Sequence, residues 1–443
     1  MMNYTRKLSV DILDNIINKG AYSNIAINTE LNKAKLDDRD KGLLTEIVYG
    51  TLKYKYTIDN ILALFLKNGI SKIDGYVLNI LRVSIYQIKY LSKVPDFAVV
   101  NEAVEITKRY KSISASKLVN GVLRNYLRNK DSLNVIFKSK IDELCFNYSF
   151  EPWMVSLFIK QYGLENTEKI LIGLNTTPDV TIRVNCLKTT YEEAYEVLSS
   201  AGYTIEDGNV CPEAIRIIKG KNIEQNPLFK EGMSTVQDES AMLVAPSMDI
   251  EPELTVLDLC SAPGGKATHI SELMNNTGKV YAFDVHKDKL SLIKKNADRL
   301  GINNIECSVL DATVCEDKFV DFADRVLIDV PCSGLGIIRK KPEIKWTKNK
   351  DQLKDIVSIQ KKIMSNASKY IKPGGILMYS TCTLNKEENE ENVKWFLKKF
   401  SNFILEPLYF GGADNLVYDE MGVTILPNRS MDGFFIAKFR RLQ

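Results

Sequence analysis

The sequence predicts an α/β domain built on a doubly wound, mostly parallel sheet, preceded by an all-α domain and a small α+β linking segment. Three observations predict it. The 443 residues exceed what one ordinary core holds. The first 130 residues place their apolar side chains at helical spacing, and from Leu254 onward short apolar runs alternate with amphipathic helical stretches.

Residues 1–140 read as helices. Asp37-Asp38-Arg39-Asp40 looks like a helix start, followed by Leu43, Leu44, Ile47, Val48 and Leu52 on one face. A second periodic stretch runs from Tyr76 to Leu91. Pro95 opens a third, and Leu118, Val119, Val122, Leu123 and Leu127 form a further stripe. Six or seven short helices would make a compact bundle. Residues 141–240 are mixed, with a strand over Val180–Asn185, a helix over Tyr191–Ser199 and a loop at Asn226-Pro227. In residues 241–443 the predicted strands are Thr255–Leu259, Lys279–Asp284, Ile305–Leu310, Arg325–Asp329 and Ile376–Ser380. Helices are expected near His269–Met274, Lys287–Leu300, Asp351–Tyr370 and Glu388–Phe400.

Composition narrows the chemistry. Hydrophobic residues at 45% and charged residues at 26% are those of a water-soluble globular chain. No apolar run is long enough for a bilayer span, and the start lacks a signal-peptide core, so a cytoplasmic place is expected. The eight cysteines form no C-x-x-C pair and suggest neither a disulfide framework nor a zinc site. With only His269 and His286, a serine triad or multi-histidine metal site cannot easily be built, and no metal is expected. Charge is unevenly spread: residues 1–140 carry 23 Lys and Arg against 13 Asp and Glu, whereas the remainder is acidic. A basic first third suits a polyanionic partner.

The sharpest local motif is Cys260-Ser261-Ala262-Pro263-Gly264-Gly265-Lys266, between an apolar strand and a helix. In a doubly wound sheet, ligands bind beyond the carboxyl ends of the strands, and paired glycines let the backbone approach them. The motif lacks the earlier glycine of a phosphate-binding P-loop and is not G-x-G-x-x-G. Asp284 ends the second strand, placed to accept from ribose hydroxyls. Asp311 follows the third, placed to hold an adenine amino group. Each also reads as an ordinary cap, but with Asp329 they put acids at three strand ends.

Cys332, in Asp329-Val-Pro-Cys332-Ser-Gly, and Cys382, in Ser380-Thr-Cys382-Thr, fall at the same predicted edge as the glycine loop. A thiolate there suits covalent catalysis. Carbon 5 of cytosine is a poor nucleophile until a thiolate adds to carbon 6 and makes it enamine-like. Asp329 would hydrogen-bond the pyrimidine edge, and Lys266 would lower a thiol pKa.

These three motifs, in this order, resemble the RNA cytosine-C5 methyltransferases of the Nop2/Sun group. The resemblance implies a Rossmann-like class I domain that uses S-adenosyl-L-methionine. It implies that Cys382 attacks carbon 6, that Cys332 serves adduct resolution and product release, and that Cys260 to Lys266, Asp284, Asp311 and Asp329 bind the cofactor. DNA cytosine methyltransferases use their Pro-Cys residue as nucleophile, so chemistry alone leaves the assignment of the two cysteines open. Asn101–Arg109 and Lys117–Arg124 resemble a NusB-type helical RNA-binding domain, as in the bacterial RsmB/Sun/Fmu branch. Thr235-Val-Gln-Asp238 and Asp432-Gly-Phe-Phe-Ile-Ala437 fit that branch too. Its members methylate small-subunit (16S) ribosomal RNA, which is therefore the expected partner, with a monomer expected to act. One departure is Leu426-Pro-Asn-Arg-Ser430, where relatives often carry a histidine.

Arg339-Lys340-Lys341 and Lys345-Trp346 follow the Pro-Cys motif and are expected to contact RNA, the cations on phosphates and the indole on a base. Arg183 and Asn185 suit either ligand contact or a structural role at a strand end. A transfer RNA or other RNA target, or a NusB-like assembly factor without catalysis, are the competing readings.

Overall fold

The computed structural model describes residues 4–34, 36–133 and 135–443. They form two compact units, Met1–Leu171 with Ile338–Lys348, and Ile172–Ile337 with Asn349–Gln443.

The first unit is helical. Its helices are α1 (Tyr4–Lys19), α2 (Ser23–Lys33), α3 (Asp38–Lys53), α4 (Lys55–Phe65), α5 (Gly75–Tyr90), α6 (Asp96–Tyr110), α7 (Ile113–Asn129), α8 (Lys140–Tyr148) and most of α9 (Pro152–Gly173), which breaks at Gly163. Short polar side chains start several of them by accepting from orphaned first-turn N–H groups. Asp37 accepts from Asp40, Asp74 from Val77 and Ser112 from Ala115. The apolar stripes at helical spacing converge on one core that includes Ile12, Leu13, Ile47, Leu81, Val119 and Leu123. The unit therefore continues beyond residue 140 and takes back a later segment.

That later segment corrects the expectation for the basic stretch. Lys345 has no exposed surface. Its ammonium donates to the carbonyls of Lys53 (3.1 Å), Tyr148 (3.4 Å) and Ser149 (3.0 Å) and sits 3.7 Å from the centre of the Phe150 ring. Burial holds its pKa well below the usual lysine value. Trp346 packs against the helical core, donates from Nε1 to the Leu52 carbonyl at 2.9 Å, and carries Lys55 over its ring. Arg339 is buried as well. Ile338 and Ile344, interleaved with the charges, pull the stretch inward. Lys345 and Trp346 are thus anchors of the helical unit, and of the cations Arg339, Lys340, Lys341 and Lys345 it is Lys340 and Lys341 that stay half-exposed.

The second unit holds two sheets. The smaller has the order β2-β3-β1-β4, from β1 (Val180–Val184), β2 (Thr204–Asp207), β3 (Ala214–Lys219) and β4 (Ser234–Val236), all antiparallel. The helix Tyr191–Ser200 begins with a capping box from Thr190 and Glu193. The larger sheet holds β5 (Thr255–Asp258), β6 (Lys279–Asp284), β7 (Ile305–Val309), β8 (Ala323–Asp329), β9 (Ile371–Thr381), β10 (Phe403–Glu406), β11 (Leu416–Asp419), β12 (Gly422–Ile425) and β13 (Phe434–Arg441). Its order is β11-β12-β13-β9-β8-β5-β6-β7, with β10 also on β13. Strands β5 to β9 pair in parallel, and β13 closes antiparallel on β9. The strand order reverses at β5, between β6 and β8, and the carboxyl ends of these strands define one edge. Among the described residues, no helix is long and apolar enough to cross a membrane.

Lys345→Ala should destabilise the protein by about 3 kcal/mol, because buried carbonyls lose their donor. It should leave the salt dependence of RNA binding unchanged, which a lost phosphate contact would flatten. Chemical denaturation and binding titrations at several salt concentrations check both parts.

Candidate active site

The parallel register decides what meets at this edge. In β8 and β9, Asp329 lies opposite Ser380, and Ser380 Oγ donates to Asp329 Oδ1 at 2.7 Å. Three residues beyond Asp329 and two beyond Ser380 come Cys332 and Cys382. Their sulfurs are 3.1 Å apart, both thiols free. Gly336 N–H donates to the Cys382 carbonyl at 3.0 Å, and Gly433 N–H to the Gly336 carbonyl at 2.9 Å. A Cβ at Gly336 would lie 1.9 Å from the Gly433 carbonyl oxygen, so both backbones must be bare there.

The hydrogen bond to Cys382, and then burial, push the Cys332 thiol well above its ordinary pKa. The Lys266 ammonium lies 2.7 Å from Asp329 Oδ2 and over the Phe434 ring at 5.1 Å. Asp329 is thus held from both sides, by Ser380 and Lys266, which fixes its carboxylate at the mouth of the edge.

The glycine loop runs from β5 into the helix Gly265–Leu273. Gly264 takes φ 99°, and a Cβ there would meet Ile293 at 3.0 Å. Ser261 N–H donates to the Phe283 carbonyl at 2.7 Å, and Asn296 donates to the Pro263 carbonyl at 3.0 Å. Asp284 is buried and accepts from the His286 N–H at 2.9 Å. Asp311 is exposed, and the Thr313 hydroxyl and N–H hold its carboxyl below the usual range. Burial, reinforced by Asp258, Asp329, Asp284 and Asp311, pushes the Cys260 thiol up, which marks it as inert and the edge as strongly negative.

Asp258 was not among the expected site residues. It ends β5 in full burial, and burial pushes its carboxyl up to about 7. Asp258 Oδ2 and the Ser261 hydroxyl beside it are both buried, and that hydroxyl is a side-chain donor facing this carboxyl. A buried carboxyl beside a glycine turn on a negative edge fits a ligand that brings donors and positive charge, and the N–H groups of the helix start suit that ligand's acceptors. S-adenosylmethionine carries both, in its ammonium, hydroxyls and sulfonium. A second set missed in the sequence is Glu388, Gln360, Asn385 and Thr383, buried polar side chains around the cysteine loops.

Arg183 and Asn185 are structural. Arg183, fully buried, donates to both oxygens of Glu272 (3.1 and 2.8 Å), to the Gly265 carbonyl at 3.0 Å, to Thr268 at 3.2 Å and to Gln237. It ties the smaller sheet to the glycine-loop helix. Asn185 donates to the carbonyls of Gly232 and Leu300. Asp238 Oδ1 accepts from the Asp432 N–H at 3.0 Å, so the two terminal motifs meet.

Comparison with known proteins agrees with this geometry. The model of the 16S rRNA methyltransferase RsmB/F family matches residues 245–440, that of the NusB family residues 3–128, and that of the RsmF/B-like ferredoxin-like domain residues 150–224. The chain is 37% identical over 442 residues to a probable ribosomal RNA small subunit methyltransferase B of Bacillus subtilis, covering 98% of both. The chain belongs to the RsmB/F family. It is 31% identical to ribosomal RNA small subunit methyltransferase B of Proteus mirabilis, over 90% of this chain and 92% of that one. The crystal structure of PH0851 superposes with a TM-score of 0.84 at 27% identity over the whole of both chains. That of a methyltransferase homolog protein from Pyrococcus horikoshii gives 0.61 at 28%, covering 69% of this chain and all of the other. As a member of RsmB/F, the chain is an S-adenosylmethionine-dependent RNA methyltransferase with a NusB domain, a ferredoxin-like subdomain and a methyltransferase sheet.

Asp258 ends β5 beside the glycine loop. A cationic ligand favours its carboxylate, so binding releases a proton and affinity should rise with pH through about 7. The slope should approach tenfold per pH unit below that value. Calorimetric titration with S-adenosylmethionine between pH 5.5 and 8 should show this rise, and Asp258→Asn should flatten it.

Proposed function

We propose that this chain methylates carbon 5 of a cytosine in 16S ribosomal RNA, with Cys382 as the attacking thiolate and Cys332 as the thiol that resolves the adduct. The observation that carries the reading is the 3.1 Å contact between the two sulfurs at the strand edge shared with the glycine loop. Burial and the contact with Cys382 raise the Cys332 thiol well above its ordinary value, which suits Cys332 to the resolving role rather than the attack. S-adenosylmethionine, when bound, supplies an electrophilic methyl group on a cationic sulfur. Residues Cys260 to Lys266, Asp258, Asp284, Asp311 and Asp329 would hold it.

The Cys382 thiolate forms a bond to carbon 6, and the electron pair of the carbon 5–carbon 6 double bond becomes available at carbon 5. Asp329, fixed between Ser380 and Lys266, hydrogen-bonds the pyrimidine edge and limits its rotation. After methylation, a base such as water takes the carbon 5 proton, the C–H electron pair restores the carbon 5–carbon 6 double bond, and the carbon 6–sulfur bond breaks to return the Cys382 thiolate. Cys332, touching Cys382, is placed to assist this release. The base must leave its stack to reach such an edge, so a single-stranded or flipped cytosine is the substrate. Lys340 and Lys341 are the members of the basic stretch that remain as phosphate contacts. Free thiols and a ribosomal RNA target support a cytoplasmic place. A monomer suffices, because one chain supplies every group named.

Cys382→Ala should abolish methyl transfer to protein-free 16S ribosomal RNA while keeping cofactor affinity. Cys332→Ala should accumulate a covalent RNA–protein adduct. Transfer of labelled methyl, identification of the base by mass and denaturing gels read these outcomes. An adduct from Cys382→Ala instead would reverse the two roles, and no label from the intact protein would move the target to another RNA.

A further inference from the structure

We infer that Glu388 is the positioning residue that sets which of the two cysteines attacks. The inference rests on the reading that Cys382 is the nucleophile.

Glu388 has no exposed surface. Its carboxylate collects four donors. The Ser333 hydroxyl lies at 2.5 Å and the Asn385 amide at 3.1 Å on one oxygen. The Ser333 N–H lies at 2.9 Å and the Gln360 amide at 3.1 Å on the other. Ser333 follows Cys332, and its hydroxyl also meets that of Thr383, which follows Cys382, at 2.7 Å. With the Ser333 proton committed to Glu388, Thr383 is the donor in that contact. Gln360 also donates to the Pro331 carbonyl at 3.0 Å, just before Cys332. The Glu388 carbonyl accepts from Tyr379 of β9 and from Asn392. One carboxylate therefore ties the residues flanking both cysteines into a single assembly, and two loops that leave different strands are held in contact.

Charge gives the assembly direction. A carboxylate buried beside Cys332 disfavours a second negative charge there. The charged and titratable groups facing Cys332 are Cys382, Glu388 and Asp329, with Tyr379 behind them and Lys266 engaged by Asp329. The cation is thus already paired, and the net field at Cys332 is negative. The two thiols are chemically alike and touch each other, so without Glu388 little in their geometry tells them apart. Four donors keep Glu388 usable as a carboxylate even though burial pushes its pKa up.

Glu388→Gln keeps the size of the side chain but removes the charge and turns one acceptor into a donor. The test uses the full chain, S-adenosylmethionine and 16S ribosomal RNA transcribed with 5-fluorocytidine, whose adduct cannot lose the carbon 5 substituent. The adducted cysteine is mapped by peptide mass. The intact protein should carry the adduct on Cys382. Glu388→Gln should form it on the order of 10- to 100-fold more slowly, with part of it on Cys332. The alkaline limb of its pH–rate profile should move to lower pH, since Cys332 loses its proton more easily. Adduct on Cys382 alone, at the unchanged rate and with an unmoved limb, would overturn the inference. Should Glu388→Gln fail to bind cofactor as a folded protein does, Ser333→Ala removes a single bond to Glu388. It should then slow adduct formation in the same sense, and an unchanged rate overturns the inference equally. An adduct on Cys332 in the intact protein would overturn the nucleophile assignment itself, which separates the two failures.

Discussion

The parallel pairing of β8 with β9 is the constraint on which the reaction centre depends. Cys332 and Cys382 are far apart in sequence, and no local motif joins them. They touch because two adjacent strands run the same way, in a register that sets Asp329 opposite Ser380, and end at one edge. A shift by one residue would turn Ser380 to the other face of the sheet and break its bond to Asp329. The antiparallel strand β13 guards that register from the far side, pairing along β9 from Thr381 to Ile376. The Gly336–Gly433 crossing then locks the loops that leave the edge. A cysteine pair at 3.1 Å is thus a consequence of topology before it is a matter of side chains.

Electrostatics divides the labour at the same edge. Asp258, Asp284, Asp311 and Asp329 make it negative, and Lys266 is the cation committed to Asp329. Such an edge suits a sulfonium and repels further thiolate formation, visible in the raised thiols of Cys260 and Cys332. The cofactor loop cannot hold this arrangement alone. Its helix is gripped from behind by Arg183, a buried cation whose charge is met by both oxygens of Glu272. A buried ion pair of this kind adds little net stability but is costly to break from one side, so it serves definition of geometry more than strength. The ferredoxin-like sheet, through Arg183 on β1, is therefore part of the glycine loop's support.

Much of this was legible in the sequence because the relevant period was strong. The five parallel strands and the helices between them follow from alternating runs of the right length, and Lys279–Asp284 and Lys287–Leu300 match the observed bounds. Glycine and cysteine motifs at strand ends pointed to one sheet edge, and the parallel strands bring those motifs to it. What stayed hidden depends on long-range partners. Strands β10 to β13 are short and antiparallel, and Gly411-Gly412 and Pro427 interrupt their pattern, so only the pairing to β9 defines them. Glu388, in the run Lys386-Glu-Glu-Asn-Glu-Glu391, reads as a charged solvent face, yet it is the buried hub of the cysteine loops. Lys345 and Trp346 have the composition of a nucleic-acid contact. Their burial follows from carbonyls of Lys53, Tyr148, Ser149 and Leu52, nearly two hundred residues away or more. Composition names the charge of a side chain but not whether a carbonyl elsewhere will claim it.

The two ligands of this enzyme carry opposite charge, and the chain separates the attractions that bind them. An RNA strand is a polyanion and gains nothing from an edge lined with carboxylates; what it needs near the reaction is one base, not its phosphates. The excess of lysine and arginine lies in residues 1–140, with 23 basic against 13 acidic residues, while the rest of the chain is acidic. Phosphate attraction is long-ranged and needs only an accumulated positive surface, so the NusB-like helices can supply it without shaping the site. Base recognition is short-ranged and, in the proposed reaction, falls to Asp329 and the cysteine loops. Burying Lys345 inside the helical unit sharpens this division, because a cation spent on three carbonyls no longer adds to the surface that draws RNA. The basic surface must then come from the exposed lysines and arginines of the helices, whereas the chemistry depends on the buried residues that hold two thiols in contact.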